Sequence, residues 1–327
     1  MLVSVIIPNY NHSLFLKQRI ESVLSQTYQN FEIILLDDCS KDDSWEIIEQ
    51  YRNHPKVTQI LFNEQNSGST FKQWNKGIKL AKGDIIWLAE SDDVADKDFL
   101  QTLVPEFAKH EETGLVYAQS YRLNEKNEIT GTWLSWTDTL DSNQFIKLGS
   151  NEFVTDFCMN GLVFINRFLI HKNTIPNASG VLFKKSIYLQ VGGADETVKN
   201  CSDWFLWVKM LLISEVAFVA KSLNYFRYHD GSVIANAIKM GSPDKYWETY
   251  DKTMRKQLKK YLGAFSPKSK ILKNINKKNN SYILEDEGLE AVFEIKKKRK
   301  LNGYFKLLKA TVAGPTLSFI RLWLRTD

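Results

Sequence analysis

The sequence has few cysteines and no long apolar segment. Its 327 residues include three cysteines, Cys39, Cys158 and Cys201, none in C-x-x-C spacing, so a disulfide framework or a zinc site is not expected. No run approaches the roughly 20 apolar residues of a membrane-spanning helix. No charged segment followed by an apolar stretch opens the chain, so we expect no secretory signal. These absences predict a cytoplasmic protein with reduced thiols.

Both common glycine-rich phosphate motifs are missing. The first turn between a strand-like and a helix-like segment reads PNYNHS, and the chain contains neither G-x-G-x-x-G nor G-x-x-x-x-G-K-[ST]. Any bound phosphates must therefore be neutralised by something other than a glycine turn.

The charge is distributed unevenly along the chain. The whole chain carries a net +5, but the segment from Arg255 to the end has 18 Lys/Arg against 6 Asp/Glu, which leaves the first 254 residues at −7. An acidic body and a basic tail require separate explanations.

The first 120 residues alternate between short apolar runs and stretches of helical period. The strand-like runs are 2–8, 31–36, 57–62, 84–89 and 114–120. The helix-like stretches are 13–26, 45–51, 69–81 and 96–109. This alternation predicts an α/β fold, Rossmann-like, with a mostly parallel sheet flanked by helices.

The pattern changes after residue 120. Residues 121–176 show no clear period, which indicates a loop-rich lobe over the site. A helix at 202–214 and a strand at 216–229 follow, and the chain beyond about 235 is helical and basic. We therefore predict a catalytic domain over 1–235 and a helical, basic extension over 236–327.

Polar clusters follow three of the predicted strands. They read Asn9-Tyr10-Asn11, Asp37-Asp38 and Glu90-Ser91-Asp92-Asp93. Ligands of open α/β sheets bind at the carboxyl ends of the strands, where these clusters fall. Three acids within four positions repel one another unless a cation lies among them, and Mg²⁺ or Mn²⁺ takes one or two carboxylates plus substrate phosphates. The alternative is that Asp92 and Asp93 cap a solvated helix.

Six blocks of the sequence together resemble a known family. They are VSVIIPNYN, FEIILLDDCSKDDS, NSGS with NKGIKLAKGDIIWLAESDD, GGADE, SDWFLW and YFRYHDGS. In this order and spacing they resemble family 2 of the inverting nucleotide-sugar glycosyltransferases, which have the GT-A fold. The resemblance extends over about residues 2–232.

The resemblance implies a nucleotide site. Pro8 and Tyr10 would lie against the base and ribose, and Asp38 would accept the ring N–H of uracil. Asn66 and Gly68 match the family's N-x-G loop beside the nucleotide. Asp38, Asn66 and Gly68 also suit ordinary turns.

The resemblance also implies a metal site, and it implies that the segment with Arg227 and His229 folds over the diphosphate. ESDD matches the family's D-x-D motif, with Glu90 in place of the first Asp. Glu90 and Asp92 would contact the nucleotide, and Asp92, Asp93 and His229 would bind Mn²⁺ or Mg²⁺. Where the family often carries an Arg near the nucleotide, Lys72 is the candidate cation. A lone His is otherwise often structural.

The implied catalytic base is Asp203, in SDWFLW. Ser202 replaces the Glu that usually precedes it, and Ser202 with Asp203 would also suit a helix N-terminus. The implied reaction is a single displacement with inversion, in which Asp203 takes the proton of the acceptor hydroxyl.

The C-terminal segment predicts membrane contact. In TLSFIRLWLR (316–325), one helical face holds Ser318, Arg321 and Arg325. The other face holds Leu317, Phe319, Ile320, Trp323 and Leu324. A basic face backed by Trp and Leu is typical of an interfacial helix on anionic lipid. The alternative is that this stripe packs on the catalytic domain.

These observations predict a metal-dependent glycosyltransferase on the inner face of the cytoplasmic membrane. It would move a sugar from a nucleoside-diphosphate sugar, with UDP as the expected nucleotide, to a hydroxyl of a glycan or lipid-linked glycan, as in bacterial surface polysaccharide synthesis. The alternatives are an inactive nucleotide-sugar-binding protein and, more remotely, a nucleic-acid-binding protein that uses the basic tail.

Overall fold

The architecture was obtained from a computed structural model of the chain. The structure describes residues 1–133, 152–175, 177–197, 202–232, 235, 243–263 and 269–296. The chain divides into two compact units near residue 240.

The described residues of the first unit contain ten strands. They are β1 (Val3–Asn9), β2 (Phe31–Asp37), β3 (Val57–Phe62), β4 (Ile85–Leu88), β5 (Val94–Ala95), β6 (Thr113–Leu123), β7 (Ile129–Thr132), β8 (Phe157–Asn160), β9 (Val181–Lys184) and β10 (Glu215–Arg227). They form one sheet in the order β3-β2-β1-β4-β9-β6-β10-β5, with β7 beside β6 and β8 beside β10.

Six of these strands run in one direction. β3, β2, β1 and β4 are successively parallel, and β6 is parallel to β10. β9 is antiparallel to both β4 and β6, so β4 and β6 share a direction. β5 and β8 each pair antiparallel with β10, and β7 pairs antiparallel with β6. The predicted α/β fold with a mostly parallel sheet is confirmed.

Helices cover the sheet. The α-helices among the described residues of this unit are α1 (Ser13–Leu24), α2 (Ser44–Glu49), α3 (Thr70–Leu80), α4 (Phe99–Leu103), α5 (Glu106–Lys109), α6 (Gly161–Phe164), α7 (Lys185–Gln190) and α8 (Ser202–Leu211). Shorter turns of other helical type lie at Glu152–Val154, Ile165–Leu169 and Ala178–Gly180. The single helix predicted at 96–109 is two helices, because Pro105 lies between them and cannot donate a helical hydrogen bond.

The core lies between the sheet and its helices. β1 and β2 are buried along their whole lengths, as continuous apolar runs predict. The α1 stripe of Leu16, Ile20 and Val23 is fully buried against this sheet. Below the turn after β4, the Trp87 ring stacks on Phe99 with centroids 4.6 Å apart. The edge that carries the site therefore rests on a rigid base.

The second unit contains α9 (Pro243–Gly263) and α10 (Lys270–Lys296), which pack on each other. Arg255 joins them: its guanidinium lies 4.2 Å from the Tyr282 ring centroid, and its carbonyl accepts a hydrogen bond from Asn279 Nδ2 at 3.0 Å. Among the helices that the structure describes, none has the length and apolar character to cross a bilayer.

Candidate active site

Four turns lie at one edge of the sheet, because the strands before them run in the same direction. They follow β1, β2, β4 and β10. The first three carry the polar clusters noted in the sequence, and the fourth carries His229. Hydrogen bonds between these turns make them one site.

The turn after β1 is tied to the turn after β2. Asn9 Nδ2 donates to Asp37 Oδ1 at 2.8 Å, and the Asn11 amide donates to Ser40 Oγ at 2.9 Å. Asn11 has φ +56°, a left-handed conformation that asparagine tolerates better than most residues. This conformation turns the chain into α1, with His12 at the first position before the helix.

Pro8 and Tyr10 occupy the end of β1. Pro8 is buried and lies beyond Ile6–Leu88, the last β1–β4 pair, so its missing N–H breaks no rung of that ladder. Tyr10 is 43% exposed, which leaves its ring face accessible for stacking. Their contacts with a nucleotide stay a prediction.

Asp38 holds a neighbouring loop. Its two carboxylate oxygens accept five hydrogen bonds, from Asn63 Nδ2, from the Ser67 amide at both oxygens, from Ser67 Oγ and from Gln73 Nε2, at 2.5–3.1 Å. In this conformation the chain itself uses the acceptor positions of Asp38. Its predicted contact with uracil would require some of these bonds to be exchanged.

The loop that Asp38 holds contains the predicted N-x-G residues. Asn66 Oδ1 accepts from the Gly68 amide at 2.8 Å, and Asn66 Nδ2 donates to the Asp38 carbonyl at 3.1 Å. Gly68 has φ +71°, a conformation that disfavours residues with a side chain. Lys72 Nζ donates to the Ser67 carbonyl at 3.1 Å, so it lies at the same loop.

The three acids after β4 point in different directions. This separation reduces the repulsion between their carboxylates. Glu90 Oε1 accepts from Trp74 Nε1 on α3 at 2.7 Å. Burial, and then the charge of Asp92, raise the pKa of Glu90 to about 8. Glu90 therefore holds a proton near neutral pH in the metal-free protein, which relieves part of the repulsion.

Asp93 points into the protein. It is 1% exposed, its Oδ1 accepts from the Arg227 amide at 2.9 Å, and its Oδ2 lies 4.0 Å from Arg19 Nη2. Burial, and then the charge of Asp92, raise its pKa to about 7. Asp93 thus joins β10 and α1 to the turn, and its carboxylate does not belong to the cluster of ligand atoms found among the described residues.

Asp92 points toward two histidines. His229 Nε2 lies 3.1 Å from Asp92 Oδ2, and the His12 and His229 rings are 5.3 Å apart. Burial acts to raise the pKa of Asp92, but the hydrogen bond with His229 and the attraction of both imidazoles outweigh it and lower that pKa. Burial lowers the pKa of His12. The ionised form of Asp92 is thereby favoured.

Arg227 holds the turns together and is not directed at open solvent. Its guanidinium donates to the Asp92 carbonyl at 2.7 Å, and also to the Asn124 carbonyl, Asn127 Oδ1 and Gln18 Oε1, at 2.7–3.1 Å. It also lies 4.7 Å from the Phe15 ring centroid. Arg227 is therefore a positioning residue for Asp92.

Asp203 lies in the first turn of α8, as SDWFLW predicts. Its Oδ2 accepts from Asn173 Nδ2 at 3.3 Å. Ser202, where the family usually has Glu, is buried, and its hydroxyl contacts both the amide and the carbonyl of Asp195 at 3.0–3.1 Å. The side chain of Ser202 thus fixes the preceding loop, and the role of Asp203 as base stays a prediction.

Sequence reasoning missed three residues of the site, His12, Arg19 and Trp74. His12 was a lone histidine in a turn, and Arg19 and Trp74 were helix residues whose partners lie about 70 and 16 positions away. The local signal that could have identified His12 is its position directly after the polar end of a predicted strand.

The donor set fits a divalent cation. Ligand atoms of His12, Asp92 and His229 lie within 4.8 Å of one another, among the residues that the structure describes. Imidazole nitrogens and a carboxylate oxygen are common ligands of divalent transition metals. The structure therefore brings predicted ligands Asp92 and His229 together, adds His12, and turns Asp93 away.

Comparison with known proteins identifies the family of the chain. Residues 4–172 match the model of glycosyl transferase family 2, which is more than half of the chain. The chain belongs to this family and is a glycosyltransferase of GT-A fold.

Two named relatives show how similar the chain is to other glycosyltransferases. The chain is 27% identical over 234 residues to the glycosyltransferase GlyG of Streptococcus pneumoniae, covering 71% of this chain and 73% of GlyG. It is 36% identical over 105 residues to the poly(ribitol-phosphate) β-N-acetylglucosaminyltransferase TarS of Staphylococcus aureus, which covers 31% of this chain and 18% of TarS.

Solved structures share the fold. TarS residues 1–349 in complex with UDP-GlcNAc superpose with a TM-score of 0.62 at 18% identity, over 95% of this chain and 79% of that one. The mannosyltransferase PcManGT of Pyrobaculum calidifontis, in complex with GDP-Man and Mn²⁺, gives 0.58 at 13% identity, over 98% and 82%. The full TarS chain is longer, and this chain covers 43% of it.

Proposed function

We propose that this glycosyltransferase is metal-dependent and inverting, and that it moves a sugar from a UDP-sugar to a hydroxyl of a glycan or lipid-linked glycan acceptor. The observation that carries the proposal is the meeting of His12, Asp92 and His229 where the turns after β1, β4 and β10 converge. A cation site at the carboxyl edge of this sheet is where the diphosphate of a nucleotide sugar would lie.

The chain's own residues have distinct tasks in this proposal. Asp92, held by Arg227 through its carbonyl, would hold the cation together with His229. When bound, Mn²⁺ or Mg²⁺ would supply Lewis-acid stabilisation of the leaving diphosphate. Tyr10 would stack on the base, and the Asn66–Gly68 loop would border the nucleotide.

Asp203 would act as the general base. It would accept the proton of the acceptor hydroxyl as that oxygen attacks the anomeric carbon, a contribution of roughly 10²–10⁴-fold to the rate. Asn173, which donates to Asp203 Oδ2, would orient the carboxylate. A single displacement of this kind inverts the anomeric configuration.

The relatives support the choice of donor and acceptor. TarS is named as an enzyme that acts on poly(ribitol-phosphate) and is solved with UDP-GlcNAc, and TuaG of Bacillus subtilis is named as a putative teichuronic acid biosynthesis glycosyltransferase. PcManGT, in contrast, is solved with GDP-Man. We therefore propose a role in bacterial surface polysaccharide synthesis, with UDP as the nucleotide.

A panel of nucleotide sugars tests this choice. Thermal unfolding of the protein should shift upward with one UDP-sugar in the presence of Mn²⁺, because a ligand at 100 times its Kd adds about 2.7 kcal/mol to the free energy of unfolding. GDP- and dTDP-sugars serve as controls. A larger shift with a GDP-sugar would contradict the UDP assignment, and no shift with any donor would contradict the whole proposal.

Two alternatives are distinguished by turnover and by salt dependence. An inactive nucleotide-sugar-binding protein is suggested by Glu90, whose carboxylate is occupied by Trp74, and by Ser202, which fixes a loop. It would bind the donor without turnover. A nucleic-acid-binding protein that uses the basic tail would instead show affinity that falls steeply with salt.

We also propose that the protein is peripheral on the inner face of the cytoplasmic membrane. The amphipathic stretch 316–325, on which this rests, lies outside the described residues. Its support is the sequence pattern of a basic face and an apolar face.

A further inference from the structure

We propose that His12 is a third protein ligand of the divalent cation, so that the site binds a transition-metal ion without nucleotide and prefers it to Mg²⁺. This inference rests on the proposed function, which places a cation at Asp92. It assigns a metal-binding role to the turn after β1, a segment whose other residues are expected to contact the nucleotide.

The spacing of the three side chains supports the assignment. Their ligand atoms lie within 4.8 Å of one another, whereas two ligands on opposite sides of an ion, each about 2.1 Å away, are about 4.2 Å apart. Side-chain movements of a few tenths of an ångström would therefore bring all three ligand atoms to bonding distance from one ion. His229 Nε2 and Asp92 Oδ2, at 3.1 Å, already have the separation of neighbouring ligands in an octahedron.

The orientation of His12 supports it as well. His12 Nδ1 lies 2.8 Å from Ser91 Oγ. In the tautomer that donates Nδ1–H to this hydroxyl, the lone pair of Nε2 is available for a metal ion. Ligating histidines usually have such a partner on the other ring nitrogen, which fixes tautomer and ring direction. Ser91 belongs to the same turn as Asp92, so the two ligands are positioned together.

Contacts within the chain hold the backbone of His12 and the ring of His229 in place. The His12 carbonyl accepts the first hydrogen bonds of α1, from Phe15 and Leu16, both at 2.9 Å. His229 is 8% exposed, and its ring lies 4.9 Å from the Phe15 ring. Because the backbone of His12 and the ring of His229 are held already, binding orders little additional chain, which favours affinity without nucleotide.

The ligand types determine which ion is preferred. Two imidazoles and one carboxylate suit Co²⁺, Zn²⁺ or Mn²⁺ better than Mg²⁺, which favours oxygen ligands and keeps several waters. For such a set, affinity increases from Mn²⁺ to Co²⁺. Three protein ligands also leave open positions in an octahedron, which diphosphate oxygens would fill when the donor binds.

Cobalt titration of the nucleotide-free protein tests the inference. Visible absorption of Co²⁺ should report saturable binding at one site, with an affinity at least about 10-fold tighter than for Mg²⁺ measured by competition. His12→Ala should weaken Co²⁺ binding by at least about 10-fold, since even loss of a residue that supports a ligand costs 10–100-fold. His110→Ala, a change at an exposed histidine after α5, should leave the affinity unchanged.

A measurement on the parent protein covers the case in which His12→Ala does not fold. Proton NMR of the Co²⁺-loaded protein should show paramagnetically shifted imidazole N–H signals from two histidines. One such signal, or Co²⁺ binding that requires UDP, would overturn the inference. So would Co²⁺ affinity in a folded His12→Ala protein equal to that of the parent.

Failure of this inference is distinguishable from failure of the proposed function. Turnover of a UDP-sugar together with cation binding only in the presence of nucleotide would reject His12 as ligand and keep the transferase. Nucleotide-free Co²⁺ binding with no donor consumed under any condition would reject the proposed reaction and keep the metal site.

Discussion

At the turn after β4, three neighbouring acids have three different environments. Glu90 faces Trp74, Asp92 faces His12 and His229, and Asp93 faces Arg227 and Arg19. The three carboxylates contact different partners, and burial raises the pKa of Glu90 and of Asp93. Asp92 is the acid that stays ionised most readily, because its pKa is lowered.

The structure of the loop at 63–73 depends on Asp38, so Asp38→Asn should loosen it. An amide cannot accept from all of Asn63, Ser67 and Gln73, which leaves at least one donor of this partly buried cluster unsatisfied. We expect a loss of about 1–3 kcal/mol in the free energy of unfolding, measured by urea denaturation. Faster amide hydrogen exchange at Ser67 should accompany it.

Asp43→Asn is the matched control for this change. Asp43 is an exposed Asp before α2, and no side-chain capping bond to it occurs in the described structure. Its replacement should leave both stability and exchange near the values of the parent. Equal effects of the two changes would contradict the role of Asp38 as the holder of the loop.

Arg227 positions Asp92, and Arg227→Gln should weaken ligand binding without removing a ligand atom. The change releases the Asp92 carbonyl and the 124–127 loop. We expect the Kd for UDP with Mn²⁺, measured by calorimetry, to rise roughly 10–100-fold, as for other residues that support metal ligands. Arg52→Gln, at an exposed ion pair with Glu49, is the control. Parent-like affinity in Arg227→Gln would argue against this role.

At the level of residues, the sequence predicts which turns form the site but not how each side chain is directed. Asp92 and His229, 137 positions apart, were both predicted as ligands and lie 3.1 Å from each other. Asp93 and His12 differ from the prediction because the direction of a side chain within a turn depends on distant partners. Arg19 and the Arg227 amide, which attract Asp93 inward, come from α1 and β10.

Among the elements, the contact of α3 with β1 and β2 positions the loop that is proposed to border the nucleotide. Gly77 on α3 permits this contact, because a Cβ there would lie 2.5 Å from Ile6 Cγ2 and 3.1 Å from Leu36 Cδ1. The helix must approach the sheet this closely for Trp74 to reach Glu90 and for Gln73 to reach Asp38.

Gly77→Ala should therefore destabilise the protein by about 1–3 kcal/mol, since the added methyl group overpacks a rigid core. Thermal and urea unfolding measure this loss. Gly263→Ala, at the last residue of α9, is the control, because a Cβ there meets no described atom within 4 Å. A Gly77→Ala protein as stable as the parent would show that α3 can move away from the sheet at no cost.

The strands of the first half were predictable and the later ones were less so. β1, β2 and β4 are mostly apolar and fully buried, and the predicted and observed bounds of β1 to β4 differ by one residue or less. β8 and β9 are four residues each, within a region without a period, and they pair with strands that lie far along the chain. Such short strands are defined by their partners, which a local pattern does not reveal.

For the whole molecule, the division of charge matches the two functions proposed for its parts. The acidic first 254 residues contain the proposed cation site, and the basic remainder, with 18 Lys/Arg, suits an anionic surface. The predicted face with Arg321 and Arg325 lies outside the described residues. Its proposed role in membrane binding therefore needs a vesicle-binding experiment.

Arg321→Glu combined with Arg325→Glu should reduce binding to vesicles that contain anionic lipid. Each basic residue near such a surface contributes about 1 kcal/mol, so the partition coefficient should fall more than roughly 10-fold in a sedimentation assay. Lys17→Glu with Lys97→Glu changes the net charge equally at exposed positions of the first unit and should have a smaller effect. Equal losses in both double variants would indicate a response to net charge and contradict a local membrane-binding face.

Release of UDP from a UDP-sugar is the most direct measurement of the central proposal. With the donor found by thermal unfolding, the parent protein should release UDP in Mn²⁺ and stop in excess EDTA. Asp203→Asn should reduce release by roughly 10²-fold or more while its Kd for UDP stays near that of the parent. UDP release that continues unchanged in EDTA, or in Asp203→Asn, would contradict the account.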